Sequence, residues 1–417
     1  LAEISATRAG RVTTAVTVGL FLLASIAGPL FELTAEPAVA DDGEAVPVRV
    51  LPGARQLSTA WRRLGWSGLL GEIQDAIDRA ERFIDRDARL ARWLRPPTQA
   101  ALLGLLREGN DEVVAARGGW LFLRDAIAHT VGPGFLNRSD GRVDAAAGLV
   151  DFHRQLAARG VRLVVLPVPE KEQIHPRRLI GAELPLPVRN VDFARFLERL
   201  ECAGVAVFDP APTLAALVAS GEPAYLPTDT HWGPAAVERV AADLADYLRG
   251  ELGLRVEPGS PLRHRGSQLR FDGDLVRLLD LPAGDARYPP VSVRARRVHE
   301  RKGPRFDAAR ARSSVLVLGD SFALIYSRQR GRLQAAGLAD QLAFRLGTPV
   351  RLIGDVRNNS LTRRIRWLGR DYSKLRETRY LVYEFAARDL TMQDWTTSRE
   401  GLPRYPGRPL TARRTAR

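Results

Sequence analysis

Aliphatic and polar positions change their period several times along this chain, and each change marks an element. Val161-Arg-Leu-Val-Val-Leu-Pro-Val168 and Val315-Leu-Val-Leu318 are short, continuous apolar runs of the kind that form strands buried on both faces. Val205–Phe208, Val350–Ile353 and Tyr380–Phe385 repeat that signature, and Gly118–Arg124 adds a short strand after a Gly-Gly turn. Between them lie helical patterns over Asp144–Arg159, Val191–Ala203, Pro212–Ser220 and Gly233–Arg249. Strands alternating with helices in this way predict an α/β domain over residues 113–395, built on a mostly parallel sheet with helices on both faces.

Immediately upstream the period turns helical. Residues 61–112 carry apolar positions at Leu69, Leu70, Ile73, Ile77, Phe83, Ile84, Trp93 and Leu94, which predicts a helical stalk or cap. Pro96-Pro97 is expected to end one helix, with a second running from Thr98 to Arg107. Val12 to Phe31 has no charged residue and is long enough to cross a bilayer, with Arg8 and Arg11 before it and acidic residues after it. Residues 1–31 are therefore expected to form an N-terminal signal anchor, with the catalytic part outside the cytoplasmic membrane. Ala38-Val-Ala40 also resembles a signal-peptidase site, but the apolar run exceeds an ordinary signal segment and favours an uncleaved anchor. Residues 32–60 read as a linker, and 396–417 as a basic tail.

Charge changes the picture less than its size suggests. The net charge is +14, but of the 62 basic residues only Lys171, Lys302 and Lys374 are lysines, so 59 are arginines, scattered through helices and loops. No nucleic-acid motif accompanies them, so no nucleic acid is expected as a partner. Cys202 is the only cysteine, which rules out an intrachain disulfide.

Two separated stretches carry chemistry. Pro227-Thr-Asp229-Thr-His231-Trp232 precedes a helix opened by Gly233-Pro234, and Leu318-Gly319-Asp320-Ser321-Phe322 follows a buried strand. In an extended segment Asp229 and His231 point to one side, so the carboxylate can hold one imidazole nitrogen while the other takes a proton from a hydroxyl. Ser321, on a turn at the sheet's carboxyl edge, is the nucleophile to pair with it, and Asp320 a turn-stabilising residue. Trp232 is placed to pack beside the imidazole. There is no His-x-x-x-His, no cysteine pair and no phosphate-binding glycine loop, so neither a metal nor any other cofactor is expected.

The blocks Gly119-Trp-Leu-Phe-Leu123, Pro169-Glu-Lys171, Asp229-Thr-His-Trp232, Gly273-Asp-Leu275, Gly319-Asp-Ser-Phe322 and Tyr383-Glu-Phe-Ala-Ala-Arg388-Asp-Leu390 together resemble the alginate O-acetyltransferase family of the AlgJ/AlgX type. Its members carry an SGNH hydrolase-like domain in which, unlike ordinary SGNH esterases, the Asp-x-His-Trp block precedes the serine block. The resemblance implies a periplasmic Ser-His-Asp acetyltransferase acting on a polysaccharide, supplied with acetyl groups by a membrane-bound O-acyltransferase partner. It implies Ser321 as nucleophile, His231 as base and Asp229 as its orienter. Lys171 and Arg388 match family positions and are candidates for substrate contact, with a structural salt bridge as the equal alternative for Arg388. Asn358 and Asn359, in the loop after Val350–Ile353, are candidates for the oxyanion hole. The chain ends soon after its last strand, so an AlgJ-like arrangement without a following carbohydrate-binding module is expected. A deacetylase on the same triad and a non-catalytic polysaccharide-binding scaffold are the rival readings.

Overall fold

The computed structural model describes residues 58–397 except 76–88, 137–140, 330–331, 355–359 and 371–372 and the positions 60, 63–64, 67, 69, 73, 256, 258, 260, 283 and 302. The expected anchor at Val12–Phe31, most of the linker, nearly all of the tail and the pair Asn358–Asn359 lie outside the described residues. Among the described residues no helix is long and apolar enough to cross a membrane. The chain divides into two compact units, residues 1–106 with 280–284 and residues 107–279 with 285–417.

In the first unit, helix α1 (Arg89–Leu106) runs through Pro96 and Pro97 without a break, contrary to the expected interruption. The proline ring holds φ near a helical value, so the cost falls on two missing N–H donors and ring crowding, and the helix absorbs it.

The second unit contains strands β1 (Val113–Ala115), β2 (Leu121–Leu123), β3 (Arg162–Val168), β4 (Ala206–Val207), β5 (Leu262–Phe271), β6 (Val291–Glu300), β7 (Val315–Gly319), β8 (Arg351–Gly354) and β9 (Tyr380–Ala386). Five form one sheet in the order β8-β7-β9-β3-β4, with every pairing parallel. Side chains alternate across it. Val164, Leu166, Val315, Val317 and Val382 enter one core with Val237, Leu244 and Leu342. Leu163, Val165, Leu316, Leu318, Leu381 and Phe385 enter the other with Leu149, Phe152, Phe196 and Leu200. The first face is covered by helices α5 (Pro234–Gly250) and α6 (Leu338–Leu346), the second by α2 (Ala145–Ala157) and α3 (Phe193–Cys202); α4 (Ala211–Ala219) precedes α5. Burial on both sides is why these strands read as unbroken apolar runs rather than as alternations.

Two features depart from the pattern. The segment after the Gly-Gly turn does not join the sheet: β2 pairs antiparallel with β1, which the sequence pattern does not single out. The ten-residue hairpin β5–β6 is also absent from the expected elements, because arginines occupy many of its positions and hide the alternation.

Candidate active site

The carboxyl edge of the sheet carries the serine. β7 ends at Gly319, and Asp320 caps a single helical turn that Ser321 opens. Asp320 is buried; its Oδ1 accepts the Phe322 N–H at 2.7 Å and its Oδ2 accepts the Ala386 N–H at 3.0 Å. It therefore ties the serine turn to the end of β9, a structural role as expected. The Asp320 N–H in turn donates to Glu384 Oε2 at 3.0 Å. Burial first, then the charge of Asp320, push the Glu384 carboxyl well above its ordinary range. Gly319 is required here: a Cβ would sit 2.4 Å from both Glu384 Oε2 and the Ala323 Cβ.

The base sits on a loop between α4 and α5. This loop is not extended but a tight bend, closed by the bridge Tyr225↔Trp232 and by the Leu226 N–H on the His231 carbonyl. Asp229 Oδ1 accepts the His231 main-chain N–H at 3.1 Å, an Asx-type turn, and is also 2.6 Å from His231 Nδ1. The local bend thus does the work assigned to an extended segment. Asp229 Oδ2 accepts the Asp274 N–H at 3.0 Å. Asp274 comes close because Gly273 has φ +77 and packs on Thr228, where a Cβ would lie 2.4 Å from the Thr228 carbonyl oxygen.

Electrostatics follow from these bonds. Burial alone would raise the Asp229 carboxyl, but the hydrogen bond from His231 and its charge outweigh it and draw the pKa down to about 2. Burial opposes a charge on His231, yet the bond to Asp229 and the charges of Asp229, Asp274 and Asp320 leave its pKa above the usual value. With Nδ1 held by Asp229, the proton-accepting nitrogen is Nε2. That atom is buried and has no hydrogen-bond partner among the described residues.

The two motifs meet through Phe322. Its ring centroid lies 4.8 Å from that of His231, and its carbonyl accepts the Trp232 indole N–H at 3.2 Å. The Tyr326 hydroxyl donates to the Trp232 carbonyl at 2.8 Å. Trp232 is wholly buried, so it braces the two motifs and offers no surface to a substrate. Ser321, half-buried, is the residue immediately before Phe322.

Lys171 and Arg388 are spent internally. Lys171 is buried and its Nζ donates to the carbonyls of Leu121 at 2.7 Å and Pro227 at 2.9 Å, so it is a positioning residue for the base loop. Burial dominates its ionisation and brings its pKa down to about 7. Arg388 pairs with Glu170 Oε2 at 2.9 Å and its guanidinium lies 5.9 Å from the Phe322 ring. Arg388 thus makes the structural salt bridge that was the alternative to polymer contact, and Lys171 is engaged by main-chain carbonyls.

Sequence reasoning missed Asp274, Glu170 and Glu384 as parts of the site, although each lies inside a motif block that carries the family resemblance. Asp229, His231 and Asp274 present ligand atoms within 4.8 Å of one another. All four carboxylate oxygens already accept hydrogen bonds, from His231, the Asp274 N–H and Thr230, so the trio is an orienting network for the imidazole. Of the remaining histidines, His129, His175 and His264 are bonded to Thr391, the Ala224 N–H and Gln341.

Residues 113–387 match the family described as "SGNH hydrolase-like domain, acetyltransferase AlgX". A relative from Pseudomonas aeruginosa, named probable alginate O-acetylase AlgJ, is 30% identical over 177 residues, 42% of this chain and 43% of the relative. A protein of the same name from Azotobacter vinelandii is 27% identical over 304 residues, 69% of this chain and 72% of the relative. The matched stretches span 43% and 55% of the P. aeruginosa relative and one from Pseudomonas fluorescens, about half of their length. The solved O-acetyltransferase domain of Pseudomonas putida AlgJ superposes with a TM-score of 0.54 at 21% identity, covering 69% of this chain and 94% of that one, a likeness of fold.

Proposed function

This chain belongs to the family of SGNH hydrolase-like acetyltransferase domains of the AlgX type, and from that premise we propose that it is a polysaccharide O-acetyltransferase working through an acetyl-serine on Ser321. One observation carries the reading: His231 is held at Nδ1 by Asp229 at 2.6 Å and leaves a buried, unpartnered Nε2 beside the segment that bears Ser321. In the first half-reaction His231 Nε2 takes the Ser321 hydroxyl proton while Oγ attacks the donor's acetyl carbonyl. The bond to the donor's leaving group breaks, and the imidazolium returns its proton to that group. In the second half a sugar hydroxyl gives its proton to Nε2 and attacks the acetyl-serine. The serine ester bond breaks and Ser321 recovers the proton. Asp229, ionised throughout, orients the imidazole and stabilises the imidazolium. The carbonyl oxygen's developing charge is received by the Ser321 main-chain N–H and by an amide of Asn358 or Asn359. Val12–Phe31 anchors the chain so that the domain works on the outer face of the cytoplasmic membrane, fed by a membrane-bound O-acyltransferase.

The test is covalent. The protein and its Ser321→Ala variant are incubated with p-nitrophenyl acetate, and the adduct is located by peptide mass mapping. The expected result is one acetyl group on Ser321, absent from the variant, and its release onto an added glycan rather than onto water. A folded protein that forms no adduct on Ser321 rejects the mechanism; an adduct lost only to water makes it an esterase.

A further inference from the structure

Arg364 lies on helix α7 (Leu361–Arg370) and is only 2% exposed. Taking a guanidinium out of water is costly unless partners replace the hydration it loses. The helix does not need this charge for its packing. Leu361, Ile365 and Leu368 already carry α7 into the core that holds Leu316, Leu318 and Phe385. An apolar side chain at position 364 would serve stability as well or better. The charge is spent instead on the serine turn, where Nη1 donates to the Gly319 carbonyl at 2.6 Å. Gly319 ends β7, two residues before Ser321.

The Gly319 carbonyl and the Asp320 N–H belong to one trans peptide group, so they point to opposite sides of it. Arg364 holds the carbonyl from α7, and Glu384 Oε2 takes the N–H from β9 at 3.0 Å. Both side chains are buried, so water does not compete for either bond. The peptide plane is thus fixed at both edges by elements distant in the chain. Burial and the charge of Asp320 raise the Glu384 carboxyl, and the charge of Arg364 acts against them, so the two halves of the clamp feel each other. Asp320 restrains the next step, with Oδ1 on the Phe322 N–H at 2.7 Å and Oδ2 on the Ala386 N–H at 3.0 Å. Ser321 stands between these restrained groups, and they set the directions of its side chain and of its main-chain N–H.

We propose that Arg364 is a positioning residue for acyl transfer: it holds the Gly319 carbonyl against the grip of Glu384 on the Asp320 N–H, and so aims the Ser321 hydroxyl at His231 and the Ser321 N–H at the developing oxyanion. This rests on the acetyl-serine reading and adds to it the group that orients the nucleophile. The guanidinium touches neither substrate nor serine; it acts through one peptide group. Its removal leaves the Gly319 carbonyl buried without that donor, and the peptide plane turns to recover a partner. A serine hydroxyl and an oxyanion donor that share one turn are then misdirected together.

The experiment follows acetylation of Ser321 in the full chain over a range of p-nitrophenyl acetate concentrations, for the parent, Arg364→Ala and Arg364→Lys. Each rate is divided by the folded fraction from circular dichroism. Arg364→Ala is expected to lower the rate constant at saturating ester about 100-fold and to leave the half-saturating concentration within about threefold of the parent's. Guanidinium chloride at about 25 mM, far below denaturing levels, should refill the vacated site and restore that rate at least about tenfold, and sodium chloride should not. Arg364→Lys keeps a cation on a shorter reach and should lose about three- to tenfold. A purely structural arginine would instead lower the folded fraction, leave the rate per folded molecule at the parent's value and show no rescue. Parental rates in Arg364→Ala, a loss confined to the half-saturating concentration, or no response to guanidinium would each overturn the proposal. If Arg364→Ala does not fold, Arg364→Lys decides, and a rate constant equal to the parent's overturns it. A parent that gains no acetyl group on Ser321 overturns the acetyl-serine reading and this proposal together; an acetylated parent beside an equally fast Arg364→Ala overturns this proposal alone.

Discussion

The serine turn and the histidine loop meet at Phe322 but are built by different physics. The serine turn grows from the centre of a parallel sheet: β7 is buried along its whole length, and a capping Asp320 and the buried Glu384 fasten its end to β9. The histidine loop belongs to no strand and is held by polar groups, with buried Lys171 on Pro227 and half-buried Asp274 on Asp229 and Thr230. A position set by close packing resists change until something is forced into it. A position set by ionisable groups responds to pH and to the loss of a single partner.

The largest effect that sharpens this contrast is on the loop. Asp229→Asn removes the charge that holds His231 above its ordinary pKa, so the inflection in Ser321 acetylation should move to lower pH. The rate should fall by about 10³-fold because the imidazole loses its fixed tautomer. Initial rates with p-nitrophenyl acetate across pH 5 to 9 test both; an unmoved inflection would mean that Asp229 does not act through His231.

On the serine turn a steric change should act first on stability. Gly319→Ala places a methyl group 2.4 Å from Glu384 Oε2 and from Ala323 Cβ, and should cost about 1–3 kcal/mol. Chemical denaturation at pH 7 measures it, and a midpoint equal to the parent's would mean the turn is more yielding than its packing implies.

The smallest effect on the rate concerns Lys171. Its folded pKa of about 7 lies below its unfolded value, so between those two values the unfolded chain binds more protons and stability rises with pH. The slope is at most about 1.4 kcal/mol per pH unit. Lys171→Met should abolish that rise and slow acetylation about tenfold through a loosened base loop. Unfolding midpoints between pH 7 and 10 decide the first point: a slope that survives in the variant assigns the pH dependence to another group.

Much of the α/β domain was legible in the residue pattern, because strands buried on both faces must be apolar throughout. The five strands of the sheet fall within a residue or two of the positions that the apolar runs predict. Helices α2, α3, α4 and α5 likewise follow from apolar spacing, and Pro234 opens α5 as its place after Gly233 suggests. The β5–β6 hairpin was not legible, since its burial switches faces along its length and interrupts any period-two pattern. Helix α1 failed in the opposite direction, since two prolines read as a break that the fold tolerates.

The sequence by itself determined which chemistry is available, because side-chain identity decides it: a hydroxyl, an imidazole and carboxylates lie in two compact motifs. It also determined that Ser321 follows a buried strand, since an apolar run ending in a turn has few alternatives. Only the tertiary structure decided that Trp232 and Phe322, 90 residues apart, would brace those motifs, and that Lys171 and Arg388 would be consumed by internal partners. It alone brought Asp274 to Asp229 and Arg364 to the Gly319 carbonyl. These outcomes depend on register, burial and long-range closure, which arise when separate segments pack and which no local pattern of residues contains.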